Sequence, residues 1–114
     1  MSRKDYPRTP DGRYFVAKGR LWRCTNPNLP DSERRAHVKA LMKARNAVRL
    51  AGSEEDERVA RAAVHEAKVA LGERGPVWWT DGAPDENRKA PCNSSYDAWW
   101  EALSEYERRV GTGE

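Results

Sequence analysis

The stretch that decides the fold is DSERRAHVKALMKARNAVRLAGSEEDERVARAAVHEAKVALG, residues 31–72. Its apolar residues recur at helical spacing, which predicts one helix over residues 31–51 and a second that ends near Leu71. Gly52 ends the first helix, and Ser53 with Asp56 has the form of a capping box that begins the second. Because alanine side chains let two helix backbones approach closely, we expect an antiparallel, alanine-rich helical hairpin.

A β-hairpin is predicted on the N-terminal side, from about Arg13 to Thr25. Two β-prone segments flank Lys18-Gly19, where glycine supplies the positive φ that a tight turn needs. The extended residues 77–79 are a candidate third strand. The sequence therefore predicts an α+β fold.

The two ends of the chain differ in character. Residues 1–11 are charged, contain two prolines and show no periodicity, so they are predicted to be a flexible leader to a single domain over residues 12–114. Near the other end, Ser94 and Asp97 again have the form of a capping box. The helix that follows is amphipathic, and its apolar third is formed by Tyr96, Trp99, Trp100, Leu103, Tyr106 and Val110.

Composition limits the class of protein. The 114 residues are 38% hydrophobic and 34% charged, with a net charge of +3, which is typical of a small, heavily solvated domain. No apolar run is long enough for a membrane helix or a signal peptide, so we expect a cytoplasmic protein with no membrane partner. The two cysteines are far apart and predict reduced thiols, and neither a metal site nor a cofactor is indicated.

Basic residues point to a possible nucleic-acid surface. After Glu33 the first helix contains no acid, and aromatic residues accompany the arginines of the β-hairpin. Such a surface would contact phosphates and read little sequence, because no helix-turn-helix, zinc-finger or RNA-recognition pattern is present. The predicted contacts are Arg20, Arg23, Arg35, Lys39, Lys43, Arg45 and Arg49.

A second candidate surface surrounds PVWWTDGAPDENR, residues 76–88. Adjacent tryptophans on an extended segment point to opposite faces, so one can be buried while the other is exposed. Either both tryptophans pack in the core, or the exposed one forms a protein-docking patch with the acidic loop over residues 81–88. The residues of this patch are Trp78, Trp79, Asp81, Asp85 and Glu86.

A third alternative is a small enzyme or metal-binding protein that uses the same loop carboxylates. Their spacing, D-x-x-x-D-E, does not match a calcium-binding loop, and Asp81 and Asp85 are also common turn formers. No residue can be assigned a catalytic role from the sequence. The prediction is therefore a non-enzymatic binding protein, with DNA or RNA as the favoured partner and a protein partner as the alternative.

Two segments carry a resemblance to known proteins. DGRYFVAKGRLWRCTNPNLP and GPVWWTDGAPDENR resemble a small family of uncharacterised bacterial proteins without an assigned function. The resemblance implies a self-contained bacterial protein and assigns no catalytic residue.

Overall fold

The predicted helical hairpin is present in the structure, a computed structural model that describes residues 5–113. Helix α1 is Asp31–Leu50 and helix α2 is Glu54–Ala70. Ser53 begins α2 as predicted, since its Oγ accepts a 3.0 Å hydrogen bond from the backbone N–H of Asp56. Four acidic residues in the first turn of α2 add favourable interactions with the positive end of the helix dipole.

The described chain divides into two units, whereas the sequence predicts one domain over residues 12–114. Unit 1 contains the described residues up to Cys24 together with those from Asp81 onward. Unit 2 is Thr25–Thr80 and contains the helical hairpin.

In unit 2 a narrow apolar stripe joins the two helices. Its buried residues are Leu41, Ala44, Ala60, Ala67 and Leu71. Leu29 and Val64, both partly buried, pack against the cluster that contains Leu41. The alanine-rich faces are wider than this stripe, so several alanines of both helices stay exposed.

Glycine at position 72 is required by the end of α2. Gly72 has φ of 81°, its N–H donates to Val69, and the next N–H donates to Lys68, which together form a Schellman motif. A Cβ at Gly72 would lie 2.9 Å from Cβ of Asn26 and 3.0 Å from Cδ1 of Trp78. Both the left-handed backbone and the close approach therefore exclude a larger residue.

Unit 1 is built on the predicted β-hairpin. Strand β1 is Tyr14–Ala17 and strand β2 is Arg20–Arg23, paired antiparallel. The turn residues Lys18 and Gly19 both have positive φ, at 54° and 74°, which is the signature of a type I′ turn. Together with the helices, this hairpin confirms the α+β prediction.

Both edges of the β-hairpin are bonded to neighbouring backbone. Beside β1, the N–H of Val16 donates to Pro7 and the N–H of Thr9 donates to Tyr14, each at 2.9 Å. Beside β2, the N–H of Leu21 donates to Lys89 at 2.8 Å. These contacts protect strand edges that would otherwise be open to pairing with other chains.

Two predictions near the β-hairpin are therefore revised. The predicted leader is not flexible at residues 7–9, because the backbone there is hydrogen-bonded to β1 and Thr9 is buried. Residues 1–4 of the predicted leader lie outside the described part of the chain. Residues 77–79 form no strand. The backbone beside β2 instead comes from Arg88 and Lys89, which carry no β-strand periodicity in the sequence.

The prediction of a single C-terminal helix that begins at Ser94 is wrong, because the chain forms two short helices there. They are α3, Asp97–Ala102, and α4, Glu105–Thr112, and a 3-10 turn over Pro91–Asn93 precedes them. At the break, Ser104 Oγ accepts from the N–H of Glu107 while the Glu107 carboxylate accepts from the N–H of Ser104. This capping box starts a new helix at Ser104, although the apolar spacing of the sequence continues without a break through that position.

The predicted cap and aromatic stripe change accordingly. Ser94 does not cap α3; its Oγ accepts from the N–H of Tyr96 at 3.1 Å and donates to the carbonyl of Pro91 at 2.7 Å. Trp99 and Trp100 are half-buried, but Tyr106 is exposed. The predicted stripe assumes one continuous helix. Because the helix is broken between α3 and α4, a single helical wheel does not describe the residues on both sides of the break, and the stripe is incomplete.

Candidate nucleic-acid interface

Helix α1 carries four exposed cations without ion pairs. The four are Lys39, Lys43, Arg45 and Arg49. None of them lies within ion-pair distance of an acidic residue in the described chain. Earlier in α1, Arg34 and Arg35 both form ion pairs with Asp31, and Nη2 of Arg35 lies 2.8 Å from Oδ2 of Asp31. The net positive charge is therefore concentrated in the part of the helix from Lys39 onward.

Three of these cations share one face. Lys39 lies three positions before Met42, Arg45 lies three positions after it, and Arg49 lies seven positions after it. At helical spacing these three cations surround Met42. Met42 is itself exposed. Lys43 lies about 100° around the helix from Met42, next to Lys39 and outside the sector that Lys39, Arg45 and Arg49 span. We call the face formed by Lys39, Met42, Arg45 and Arg49 the basic face.

Helix α2 shows the contrasting arrangement. Arg58 pairs with Glu55 and Arg61 pairs with Glu57, the latter at 2.9 Å, at helical spacings of three and four residues. Both arginines are exposed, but their charge is balanced by the same helix. The excess of positive charge in the hairpin therefore belongs to α1.

The predicted contacts on the β-hairpin divide into two cases. Arg20 is exposed, and its Nη1 donates to the carbonyl of Arg88 at 3.1 Å. Arg23 is only 3% exposed, so its guanidinium cannot reach a phosphate backbone and the prediction for this residue is wrong. β2 alternates its side chains between two faces, and Arg23 shares the buried face with Leu21. Both arginines belong to unit 1, whereas the α1 cations belong to unit 2.

The tryptophans of the predicted docking patch lie in unit 2 and are largely covered. Trp79 is 8% exposed and Trp78 is half-buried. Their rings contact each other edge to face, with centroids 5.1 Å apart. Trp78 is therefore the more accessible tryptophan of the pair.

The acids of the docking patch lie in unit 1, where each accepts hydrogen bonds from its own unit. Asp81 pairs with Arg13, which holds the pKa of this carboxyl below its usual range. Asp85 accepts from the N–H of Asn87 at 3.0 Å. Glu86, only 6% exposed, accepts from the N–H of Ser95 at 2.9 Å and also from its hydroxyl. These are structural roles, and the burial of Glu86 removes it from any accessible docking patch.

A polar cluster that sequence reasoning missed surrounds Asp11. Its carboxylate accepts from Thr9 Oγ1 and from Tyr96 Oη, both at 2.7 Å. Burial tends to raise the pKa of Asp11, but these hydrogen bonds outweigh it, and the pKa lies below its ordinary value. Burial and the bond to Asp11 raise the pKa of Tyr96. The only signal of a structural role for Asp11 in the sequence is the Asp-Gly dipeptide at residues 11–12, which is typical of a turn.

Metal-ligating and nucleophilic residues are dispersed. Within residues 5–113, no three side chains of His, Cys, Asp or Glu lie close enough together to hold a metal ion. Cys24 is buried and Cys92 is exposed. Neither cysteine forms a disulfide. No helix in this part of the chain has the length and apolar character needed to cross a membrane.

The chain was compared with protein-family models, with curated proteins and with solved structures, and none of these comparisons gave a match. Function is therefore inferred from the side chains themselves.

Proposed function

We propose that the protein is a small nucleic-acid-binding protein that contacts the phosphate backbone through the basic face of α1. The observation that supports this most directly is that Lys39, Arg45 and Arg49 are exposed and have no acidic partner in the described chain. Surface cations are commonly balanced by nearby acids, as Arg58 and Arg61 are on α2. An unbalanced row of cations attracts a polyanion and releases its counterions on binding.

The dimensions of the basic face suit a phosphate backbone. Lys39 and Arg49 are ten residues apart, which is about 15 Å of helix at ~1.5 Å per residue. One strand of B-DNA carries a phosphate about every 3.4 Å along its axis, so this length corresponds to roughly four phosphates. Exposed Met42 among the cations adds an apolar contact for a sugar or a base.

The proposed binding reads charge and not base sequence. Lysine and arginine contacts to phosphate position a protein on nucleic acid but carry no sequence information. Any preference of the protein for DNA or for RNA therefore depends on the shape of the nucleic-acid backbone. The proposal also includes a cytoplasmic location, which suits a chain whose two cysteines are both unpaired.

Two matched variants test the proposal. Arg45→Ala with Arg49→Ala removes two exposed arginines from the basic face, and Arg58→Ala with Arg61→Ala removes two exposed arginines from α2. The change in net charge is the same. Fluorescence anisotropy with labelled double-stranded DNA, single-stranded DNA and RNA at low salt should show a large loss of affinity for the first variant and a small loss for the second. Equal losses in the two variants would refute the assignment to α1.

The docking-patch alternative loses most of its support. Trp79 and Glu86 are buried, and Asp81 is paired with Arg13. The loop carboxylates are likewise engaged in hydrogen bonds that hold their own unit together. We therefore propose neither a protein adaptor nor an enzyme at this loop.

A further inference from the structure

An apolar groove lies between α1 and α2, and none of the four basic-face residues lines it. It is open to solvent, has a volume of about 540 Å³ and lies at the end of the hairpin where the two helices are joined. The buried Ala44 and Ala60 form its floor. Leu50 and Val59 also line it, although they are 65% and 57% exposed. We call this feature the alanine groove.

Several side chains that line the alanine groove stay exposed in the helical hairpin. Ala40, Ala47 and Ala63 line it and are exposed, so the alanine-rich face is wider than the stripe that joins α1 to α2. Exposed leucine and valine beside small residues form a surface against which another helix can pack closely. A two-helix layer gains a full core when a second such layer covers it, as in four-helix bundles.

The charges lining the alanine groove are self-complementary. Lys43 lies on its α1 side and Asp56 on its α2 side. In the described chain neither residue forms an ion pair. A two-fold axis midway between them would place Lys43 of each copy over Asp56 of the other, so that two identical ion pairs form at once. This match requires no residue from outside the chain.

We propose that the alanine groove is the interface at which a second copy of this chain docks, through a two-fold symmetric pairing of helical hairpins. Leu50 and Val59 of each copy are then covered, and Lys43 pairs with Asp56 of the partner. Lys39, Met42, Arg45 and Arg49 are not part of the alanine groove. Each dimer therefore presents two basic faces.

The first test compares Leu50→Lys with Met42→Lys in sedimentation velocity over micromolar to near-millimolar concentrations. The two residues lie on the same helix and have similar exposure, 65% and 61%, so both variants should fold. Placing a charge in a packed interface should weaken the dimer by about tenfold or more for Leu50→Lys, with little change for Met42→Lys. A wild-type chain that stays monomeric throughout, or an equal effect of both variants, would overturn the proposal.

The second test uses charge reversal. In Lys43→Glu both sides of the groove are acidic, and in Asp56→Lys both sides are basic, so each variant alone should dimerise poorly. Mixing the two variants restores both ion pairs between unlike chains, and a heterodimer should form. Thermal unfolding of each variant checks that it is folded. Failure of the mixture to associate more strongly than either variant alone would contradict the two-fold pairing.

Discussion

Tyr96 Oη donates a 2.7 Å hydrogen bond to Oδ2 of Asp11, a residue 85 positions earlier in the chain. Asp11 precedes β1, and Tyr96 immediately precedes α3. The ring of Tyr96 also contacts Tyr14 edge to face, with centroids 5.5 Å apart. One side chain therefore links the two chain segments that form unit 1.

This link predicts a loss of stability in acid. The pKa of Asp11 is lower in the folded protein than its ordinary value of 3.8, so its carboxylate stabilises the fold above that pH. That contribution is lost as the pH falls through 3.8 toward the folded pKa. Thermal unfolding between roughly pH 5 and pH 2 should show the decrease, and Tyr96→Phe should reduce its slope because it removes a hydrogen bond to the carboxylate. An unchanged slope in Tyr96→Phe would show that the bond does not lower this pKa.

The buried carboxylate of Glu86 should matter far more than its exposed neighbour. Glu86→Gln weakens the hydrogen bonds accepted from Ser95 and should cost about 1–3 kcal/mol. Asp85→Asn keeps an oxygen for the N–H of Asn87 and should change stability by less than about 0.5 kcal/mol. Urea unfolding of both variants measures the difference. Similar small effects would mean that Glu86 is not buried as described.

Gly111 should not tolerate alanine. A Cβ there would lie 2.9 Å from Cη2 of Trp100 and 3.1 Å from Cγ1 of Val16. Relieving this overlap moves packed side chains, and Gly111→Ala should destabilise the protein by about 1–3 kcal/mol. Gly52→Ala is the control, because apart from its chain neighbours no residue has an atom within 4 Å of the added Cβ. If Gly111→Ala unfolds at the same urea concentration as the wild type, α4 does not lie against β1 and α3 in this way.

The sequence predicts local structure best where periodicity and capping agree. Ser53 and Gly72 delimit α2 as expected, and Lys18-Gly19 makes the expected turn. The apolar spacing of the C-terminal segment runs through Ser104 and so predicts one continuous helix. The capping box that starts a new helix there, Ser104 with Glu107 three residues later, is visible in the sequence, but it interrupts none of the apolar spacing.

The candidate site was predictable only in part. The absence of acids after Glu33 in α1 is a sequence property, and it identifies the cations that lack partners. Burial of Arg23 and Glu86 was not predictable, because it depends on contacts between segments far apart in sequence. Glu86, for example, donates its N–H to Tyr14 Oη, 72 residues away, at 2.8 Å. Long-range contacts of this kind leave no periodic signal.

The salt dependence of nucleic-acid binding tests the central claim most directly. Each phosphate contact on B-DNA contributes about 0.9 to the slope of log K against log salt concentration. Removing Arg45 and Arg49 together should therefore lower the magnitude of that slope by about two, while removing Arg58 and Arg61 should leave it nearly unchanged. Measurable wild-type binding with this pattern supports backbone recognition by α1. No wild-type binding at low salt, or a slope that both variants share with the wild type, would contradict it.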